Sequence, residues 1–330
     1  KSLLIYLKNY KKESFFAPLF KMMEAIFELI VPLVVSSVID NGILKNDYRK
    51  VLTDVGIMVL LAVVGMSVSV TAQYFAAKAA SGFGRELRSD LFKKIQSLSF
   101  SELDSAGTST LVTIMTNDTA QVQNGVNMVL RLFLRSPFIV FGALIMAFTI
   151  DVKCALVFLI TIPILTAVIV AIMKYTMPRY RSIQFHLDDL TLKTRENLSG
   201  ARVIRAFTRE AEETEGFYEK SKALSHLQKA VGRISALMNP LTYVIINVAI
   251  IVLIYEGGIR VNTGELSQGQ VVALYNYMSQ ILVELIKLAN LIVTVTRSFA
   301  CASRIENVFK LQNTLQHTDN SAKVNDYVVC

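Results

Sequence analysis

Charged and amide side chains stand inside several of the longest apolar runs of this sequence. Glu28 lies in the first of these runs, and Glu284 and Lys287 lie three residues apart in the last. A charge inside such a run is costly and usually faces a partner or a cavity, so these residues could bind a polar or charged part of a ligand. The candidate substrate cavity consists of Glu28, Asn247, Asn276, Gln280, Glu284 and Lys287. The alternative, which applies equally to Lys21 and Glu24, is that the charges form ion pairs that only fix helix packing.

Residue types that carry catalysis or metal binding are scattered along the chain. The three His and three Cys show no metal or redox spacing. No GxxxxGK[ST] phosphate-binding loop occurs in the sequence. The scattered residues are His186, His226, His317, Cys154, Cys301 and Cys330. The sequence therefore predicts no catalytic, cofactor-binding or metal site on this chain.

The polar residues must be positioned by long apolar helices. Of the 330 residues 53% are hydrophobic, and the mean hydropathy is +0.46, which is more apolar than one globular core requires. Uncharged runs of about 20 residues have the length that crosses a bilayer as a helix. Six spans are predicted, at about 15–39, 55–77, 132–150, 154–173, 234–255 and 266–296. The predicted fold class is an all-α membrane protein.

The distribution of basic residues predicts the orientation. Of the 34 Lys and Arg, 27 fall before the first span, in the segments 78–135 and 174–233, or after residue 296, and only five fall in the alternate loops. By the positive-inside tendency we expect a multi-pass protein of the plasma (inner) membrane with both termini in the cytosol. Topology thus accounts for the net charge of +8, and a nucleic-acid partner is not expected.

The two long segments on the basic side are each predicted to form two helices around a break, that is, a cytosolic helical hairpin. The tip of the second hairpin, SGARVIRAFTRE, places Phe207 among Arg202 and Arg205. Such a short amphipathic element with an aromatic anchor suits a groove on another protein. The acidic residues 210–215 that follow favour the start of the returning helix. The alternative is a solvated connector.

The short loops on the opposite side carry three charges of interest. Asp40, Lys153 and Arg260 could form an ion-pair gate at the outer rim, a candidate outer gate. Solvated loop charges are the alternative, because exposed ion pairs contribute little.

Two stretches and the order of the spans carry a family resemblance. TSTLVTIMTND at residues 108–118, ENLSGARVIRAFTREAEE at residues 196–213, and six spans with two long inner hairpins resemble the transmembrane domain of an ATP-binding cassette (ABC) exporter of the multidrug half-transporter type. The resemblance covers roughly residues 6–311. It implies the type I exporter fold, with coupling helices at the hairpin tips that dock on nucleotide-binding domains. The implied coupling residues are Asp104, Ser105, Ala106, Gly107, Thr108 and Ser109 in the first hairpin and Ala201, Arg202, Val203, Ile204, Arg205, Ala206, Phe207 and Thr208 in the second.

The resemblance also implies a domain organisation. Residues 1–14 would form a cytosolic elbow segment, 15–311 the six-helix domain, and 312–330 a linker toward a nucleotide-binding domain absent from this chain. ATP and Mg²⁺ would be bound by that domain and not by these residues, so whether the chain is part of an enzyme stays open. Many family members carry an Arg where this chain has Ile114, three residues before Asn117, so an ion pair sometimes made there is not expected.

The function implied by the resemblance is ATP-driven export of lipophilic drugs or similar amphipathic compounds by alternating access. The implied partners are a second half-transporter, identical or different, with the fourth and fifth spans crossing to it, nucleotide-binding domains, the lipophilic substrate and membrane lipids. A lipid or peptide exporter of the same family is one alternative. A membrane scaffold or sensor without enzymatic activity, which docks a cytosolic partner, is an alternative of another class.

Overall fold

The computed structural model describes residues 3–311, and these residues form helices and short turns without a strand. The predicted linker at 312–330 lies outside the described residues. The helices are α1 (Lys11–Ser37), α2 (Tyr48–Gln96), α3 (Phe100–Ala106), α4 (Thr108–Thr113), α5 (Thr119–Leu132), α6 (Arg135–Ile150), α7 (Val152–Ser199), α8 (Ala201–Ala206), α9 (Glu210–Ala236), α10 (Met238–Asn262) and α11 (Gln268–Lys310). A 3₁₀-helix, Leu3–Tyr10, occupies most of the predicted elbow segment, and π-helical turns lie at Val38–Ile43 and Ile114–Asp118.

Six helical stretches of the described chain are long and apolar enough to cross a membrane. They are Ile5–Ile43, Tyr48–Gln96, Thr108–Ile150, Val152–Ser199, Glu210–Asn262 and Gln268–Lys310. The 49 residues of α2 extend about 74 Å at the usual rise per residue, more than twice the hydrocarbon thickness of a bilayer. Each span can therefore continue past the membrane as a helical arm. The predicted all-α membrane fold with six spans is confirmed.

The last turn between spans is shorter than the sequence indicates. The spans predicted at 234–255 and 266–296 leave residues 256–265 as a loop, but α10 continues to Asn262 and only residues 263–267 are not helical. Gly257 lies inside α10, where the lack of a side chain allows α10 to pack closely on α11. A Cβ atom at this position would lie 2.9 Å from Cγ2 of Val271 on α11. A glycine at a helix crossing thus supports packing instead of a turn.

The chain divides into two compact units. The first contains the described parts of Lys1–Glu28, Val59–Phe138 and Lys287–Cys330, and the second contains Leu29–Met58 and Ile139–Ile286. In the first unit, apolar residues of α2, α4, α5 and α11 form a buried cluster that includes Phe83, Leu87, Leu91, Leu111, Val122, Ile305 and Val308. In the second unit, fully buried side chains include Phe158, Leu165, Leu253, Leu274 and Tyr277, whose hydroxyl donates a hydrogen bond to the Leu29 carbonyl at 2.6 Å. Each unit holds one hairpin tip.

Candidate functional site

The first tip, residues 97–107, is set by two local signals. Ser99 caps α3: its hydroxyl accepts a hydrogen bond from Glu102 N at 3.4 Å, and the Glu102 carboxylate accepts one from Ser99 N at 2.9 Å. This reciprocal capping box begins a new helix directly after α2 ends. Gly107, with φ of 75°, ends α3 in a conformation that side chains rarely adopt. The short helix α3 is therefore bounded on both sides by its own sequence.

The bounds of α3 differ from those of the predicted first coupling segment. Residues 104–109 divide between the end of α3, Gly107 and the start of α4, because the capping box begins α3 at Phe100, four residues before the segment that the family resemblance implies. Asp104, Ser105, Thr108 and Ser109 are exposed, and Ala106 and Gly107 are half-buried. The sequence analysis missed Phe100, whose side chain is 87% exposed at the start of α3. The sequence pattern that could have identified Phe100 is an aromatic residue directly after Ser99, which caps the helix.

A buried carboxylate anchors the first tip to the last helix of the same unit. Asp118, at the end of the π-helical turn Ile114–Asp118, is only 3% exposed and accepts hydrogen bonds from Arg304 Nε at 2.7 Å and Nη2 at 2.6 Å. The guanidinium also lies 3.3 Å from Cys301 Sγ. This bidentate pair, which we call the Asp118–Arg304 clamp, joins the returning arm of the first hairpin to α11. Ile114, at the start of the same π-helical turn, is buried.

The second tip, residues 200–209, contains the six-residue helix α8. Gly200 ends α7, and Thr208 adopts a positive φ of 54° between α8 and α9. The backbone is closed by hydrogen bonds from Phe207 N to Val203 O at 3.0 Å and from Arg209 N to Ile204 O at 3.0 Å. The predicted coupling residues 201–208 are thus α8 and the two residues that end it.

The outer surface of the second tip combines apolar and basic side chains. Val203 is 60% exposed and Phe207 is 75% exposed, and Arg202 and Arg205 are exposed beside them. Ile204 instead lines a cavity of about 280 Å³ between α7, α8 and α9. A large aromatic residue held out to solvent by a short, hydrogen-bonded helix suits contact with another protein.

Ion pairs hold the two arms behind the second tip together. Lys193 Nζ lies 2.5 Å from Glu213 Oε2, and Lys220 Nζ lies 2.8 Å from Asp189 Oδ2. Lys193 and Glu213 both lie beyond the apolar run 154–173 that enters the membrane. The hydrogen bond from Lys193 lowers the pKa of the Glu213 carboxyl below its usual value, and the same bond raises the pKa of Lys193. The arms are therefore joined by a pair that is ionised on both sides near neutral pH.

Among the candidate cavity residues, Glu28 has a partner that the sequence did not indicate. Arg135 Nη2, from α6, donates to both Glu28 carboxylate oxygens at 2.7 Å. Beside this pair, Lys21 Nζ contacts Glu24 Oε2 at 2.5 Å and Ser69 Oγ at 3.1 Å. The Glu28 side chain nevertheless remains 41% exposed, whereas Arg135 is buried. Pairing and access to a ligand are therefore compatible at Glu28.

The other five cavity candidates are distributed over α10 and α11. Asn247 is exposed, and its Nδ2 donates to the Tyr243 carbonyl one helical turn earlier at 2.7 Å. Glu284 is buried, with 3% of its surface exposed. The remaining three are half-buried: Asn276, Gln280 and Lys287. A cavity formed by all six residues stays a prediction.

Asp40, a candidate outer-gate residue, caps the start of α11. Within the π-helical turn Val38–Ile43 its carboxylate accepts hydrogen bonds from Ser267 Oγ at 2.5 Å, Gly269 N at 2.9 Å and Ser36 Oγ at 3.1 Å. A carboxylate at this place satisfies backbone N–H groups at a helix N-terminus and complements the helix dipole. Asp40 therefore fixes the turn between α10 and α11 to α1 inside the second unit.

Arg260 and Lys153, the other two candidate gate residues, have different surroundings. Arg260 is buried and pairs with Asp151, which also caps α7 by accepting a hydrogen bond from Cys154 N at 2.8 Å. Glu265 lies 3.3 Å from the same guanidinium. Lys153 is exposed. Asp40 thus contacts the start of α11, and Arg260 pairs with Asp151. A gate made of the three residues stays a prediction.

Comparison of the sequence with known proteins identifies the family of this chain. A family model described as the ABC transporter transmembrane region matches residues 14–285. An uncharacterized ABC transporter ATP-binding protein of Mycobacterium bovis is 31% identical over 319 residues, which are 96% of this chain and 54% of that protein. The uncharacterized ABC transporter ATP-binding protein YfiB of Bacillus subtilis is 30% identical over 309 residues, 94% of this chain and 54% of that protein.

A third relative carries a more specific name. The multidrug resistance-like ATP-binding protein MdlB of Buchnera aphidicola is 27% identical over 229 residues, 69% of this chain and 39% of that protein. The chain spans about half the length of the curated relatives it matches.

Proposed function

Because the chain belongs to the family of ABC transporter transmembrane regions, we propose that it is the membrane half of an exporter that moves lipophilic or amphipathic compounds by alternating access. In this proposal two such halves, identical or different, enclose the path in the plasma membrane, with the termini in the cytosol. Neither the sequence nor the described residues supply a phosphate-binding loop or a cluster of His, Cys, Asp and Glu that could hold a metal ion. We propose that ATP and Mg²⁺ are bound by nucleotide-binding domains; the names of the relatives as ATP-binding proteins support this assignment.

The observation that carries the proposal is the pair of exposed aromatic side chains on short helices at the hairpin tips. Phe100 on α3 is 87% exposed and Phe207 at the end of α8 is 75% exposed. Exposed aromatic residues with flanking Arg are the usual anchors of a protein interface, because they bury much area at low entropic cost. We propose that both tips dock on nucleotide-binding domains, the second through Phe207 and Arg205.

The arms transmit a movement of the tips to the spans. α7 runs without interruption from the apolar run 154–173 to Ser199, and α9 returns from Glu210. The Lys193–Glu213 and Lys220–Asp189 pairs tie the two arms together, so the hairpin moves as one lever. A rigid-body movement of this kind switches the cavity between its inward and outward openings.

The proposed substrate class is a lipophilic cation or a similar amphipathic compound. Support comes from the partly exposed Glu28 carboxylate among apolar spans and from the multidrug resistance-like name of one relative. Although Glu28 is paired with Arg135, its exposed carboxylate oxygens retain lone pairs that can accept a hydrogen bond from the polar or cationic group of an otherwise apolar molecule. A lipid or a peptide is the competing substrate class. The ATPase experiment below separates it from a lipophilic cation.

The test is the ATPase activity of the complete gene product and its partner in lipid nanodiscs, with and without a panel of lipophilic cations. We expect stimulation by at least one cation, and a reduction of that stimulation on the order of tenfold in Phe207→Ala and Arg205→Ala, because each removes an interface anchor. Phe185→Ala and Arg181→Ala are matched controls, since both residues are exposed on α7 away from the tip.

The outcomes distinguish the competing functions. An active ATPase that no cation stimulates would indicate a lipid or peptide substrate. Absence of ATPase in every partner combination would favour a membrane scaffold or sensor. An equal loss of cation-stimulated ATPase activity in the tip variants and the control variants would refute the docking role of the second tip.

A further inference from the structure

A cavity of about 520 Å³ opens in the first unit between the N-terminal 3₁₀-helix, α2, α5 and α11. We call it the elbow cavity. It shares no residue with the candidate substrate cavity, because its lining comes from residues 3–7, 83, 122–130 and 295–306. Residues 122–130 and 295–306 adjoin the predicted apolar spans 132–150 and 266–296 on their basic side, so this prediction puts the cavity near the boundary between membrane and water.

The walls of the elbow cavity are apolar and closely packed. Phe83 and Val122 are buried beneath it, with 1% and 6% of their surfaces exposed, and Tyr6 packs edge-on against Phe83 at a ring distance of 6.2 Å. Gly125 lets α5 approach α11, since a Cβ atom there would lie 2.5 Å from Ser298 Cβ. This volume and this lining match small-molecule sites, which are mostly apolar with a few polar groups.

The mouth of the cavity has one carboxylate and one exposed aromatic ring. Glu306 is half-buried and is the charged residue among the lining residues. Within residues 3–311 its carboxylate makes no ion pair or hydrogen bond, whereas the adjacent basic residue Arg304 is held by Asp118. Phe299, which also lines the cavity, is 71% exposed.

We propose that the elbow cavity binds an amphipathic cation, with its apolar body against Phe83 and Val126 and its positive charge beside Glu306. Such a molecule fits because the cavity offers apolar area, an unpaired negative charge and an aromatic face that attracts cations. The proposal concerns binding in one unit and does not depend on export.

The experiment measures binding of tetraphenylphosphonium to the complete gene product in nanodiscs of zwitterionic lipid without nucleotide. Tetraphenylborate, which has nearly the same shape and the opposite charge, serves as the matched probe. We expect saturable binding of the cation and at least tenfold weaker binding of the anion. Glu306→Gln should weaken cation binding about fivefold, because it removes one partly screened ion pair, and Glu219→Gln, an exposed carboxylate on α9, should not.

A second variant tests the place of binding. Val126→Trp fills the cavity and should abolish saturable binding of the cation, with helicity and thermal unfolding close to wild type. Equal affinity for both probes, or unchanged cation binding in Glu306→Gln and Val126→Trp, would overturn the proposal. Absence of saturable binding in the folded wild-type protein would overturn it as well, including the case in which a second subunit covers the cavity.

Discussion

Breaking the Asp118–Arg304 clamp should destabilise the first unit by more than a surface ion pair would. Arg304→Gln removes the guanidinium that donates two hydrogen bonds, at 2.7 and 2.6 Å, to a carboxylate whose side chain is 4% exposed. The Asp118 charge is then left buried without its counterion. Loss of one partner of a fully buried pair costs about 3–5 kcal/mol, whereas an exposed pair contributes at most about 1 kcal/mol.

The environment of Arg304 sets the expected value between these limits. Its side chain is 55% exposed, so water screens one side of the pair. We therefore expect Arg304→Gln to lower the free energy of unfolding by about 2 kcal/mol. Arg304→Lys, which cannot make the bidentate contact, should lose about 1 kcal/mol.

The measurement is a reversible SDS titration of the protein in mixed micelles, followed by helicity. A double-mutant cycle with Asp118→Asn isolates the interaction, and we expect a coupling energy of about 1.5 kcal/mol. Arg297→Gln is the matched control, because this residue is exposed on the same helix and makes no ion pair among the described residues. Additive effects of Arg304→Gln and Asp118→Asn would refute the reasoning.

Three further predictions use the same titration. Thr208→Gly should raise the free energy of unfolding by about 1 kcal/mol, because a β-branched residue there is held at φ 54°. Arg260→Gln should lower it by about 2–3 kcal/mol, since Arg260 is a buried, paired charge, whereas exposed Lys153→Gln should change it by less than about 0.5 kcal/mol. The loss of unfolding free energy caused by Glu213→Gln should stay constant between about pH 6 and pH 8 and vanish in acid. The lowered pKa of Glu213 means that its stabilising contribution is present above its unfolded pKa and is lost as the pH falls through its folded pKa, and the raised pKa of Lys193 keeps the partner charged throughout this range.

Each of these predictions has a result that contradicts it. Destabilisation by Thr208→Gly would mean that the side chain contributes more than the strained backbone costs. Equal effects of Arg260→Gln and Lys153→Gln would contradict the buried pairing of Arg260. A Glu213→Gln effect that changes between about pH 6 and pH 8 would mean that the pair with Lys193 is not ionised on both sides.

Apolar periodicity and charge patterning were sufficient to predict the helices. The runs that enclose spans such as 154–173 and 234–255 leave a helix as the only structure that satisfies every backbone group in lipid. Gly200 and the acidic residues after it locate the second tip, because helix ends depend on local residue types. At the first tip the Ser99–Glu102 capping box starts α3 at Phe100, a local signal that the sequence analysis did not use, and the coupling role of residues 104–109 stays a prediction.

The amino-acid sequence by itself determined the number of spans, the two hairpins and the family, because these depend on residue types read along one chain. The partners of the charged residues were decided only by tertiary structure. Arg135 and Glu28 are 107 positions apart, and Arg304 and Asp118 are 186 apart. Which buried charge meets which depends on helix rotation and register, and these are set by the packing of many apolar contacts that no local pattern records.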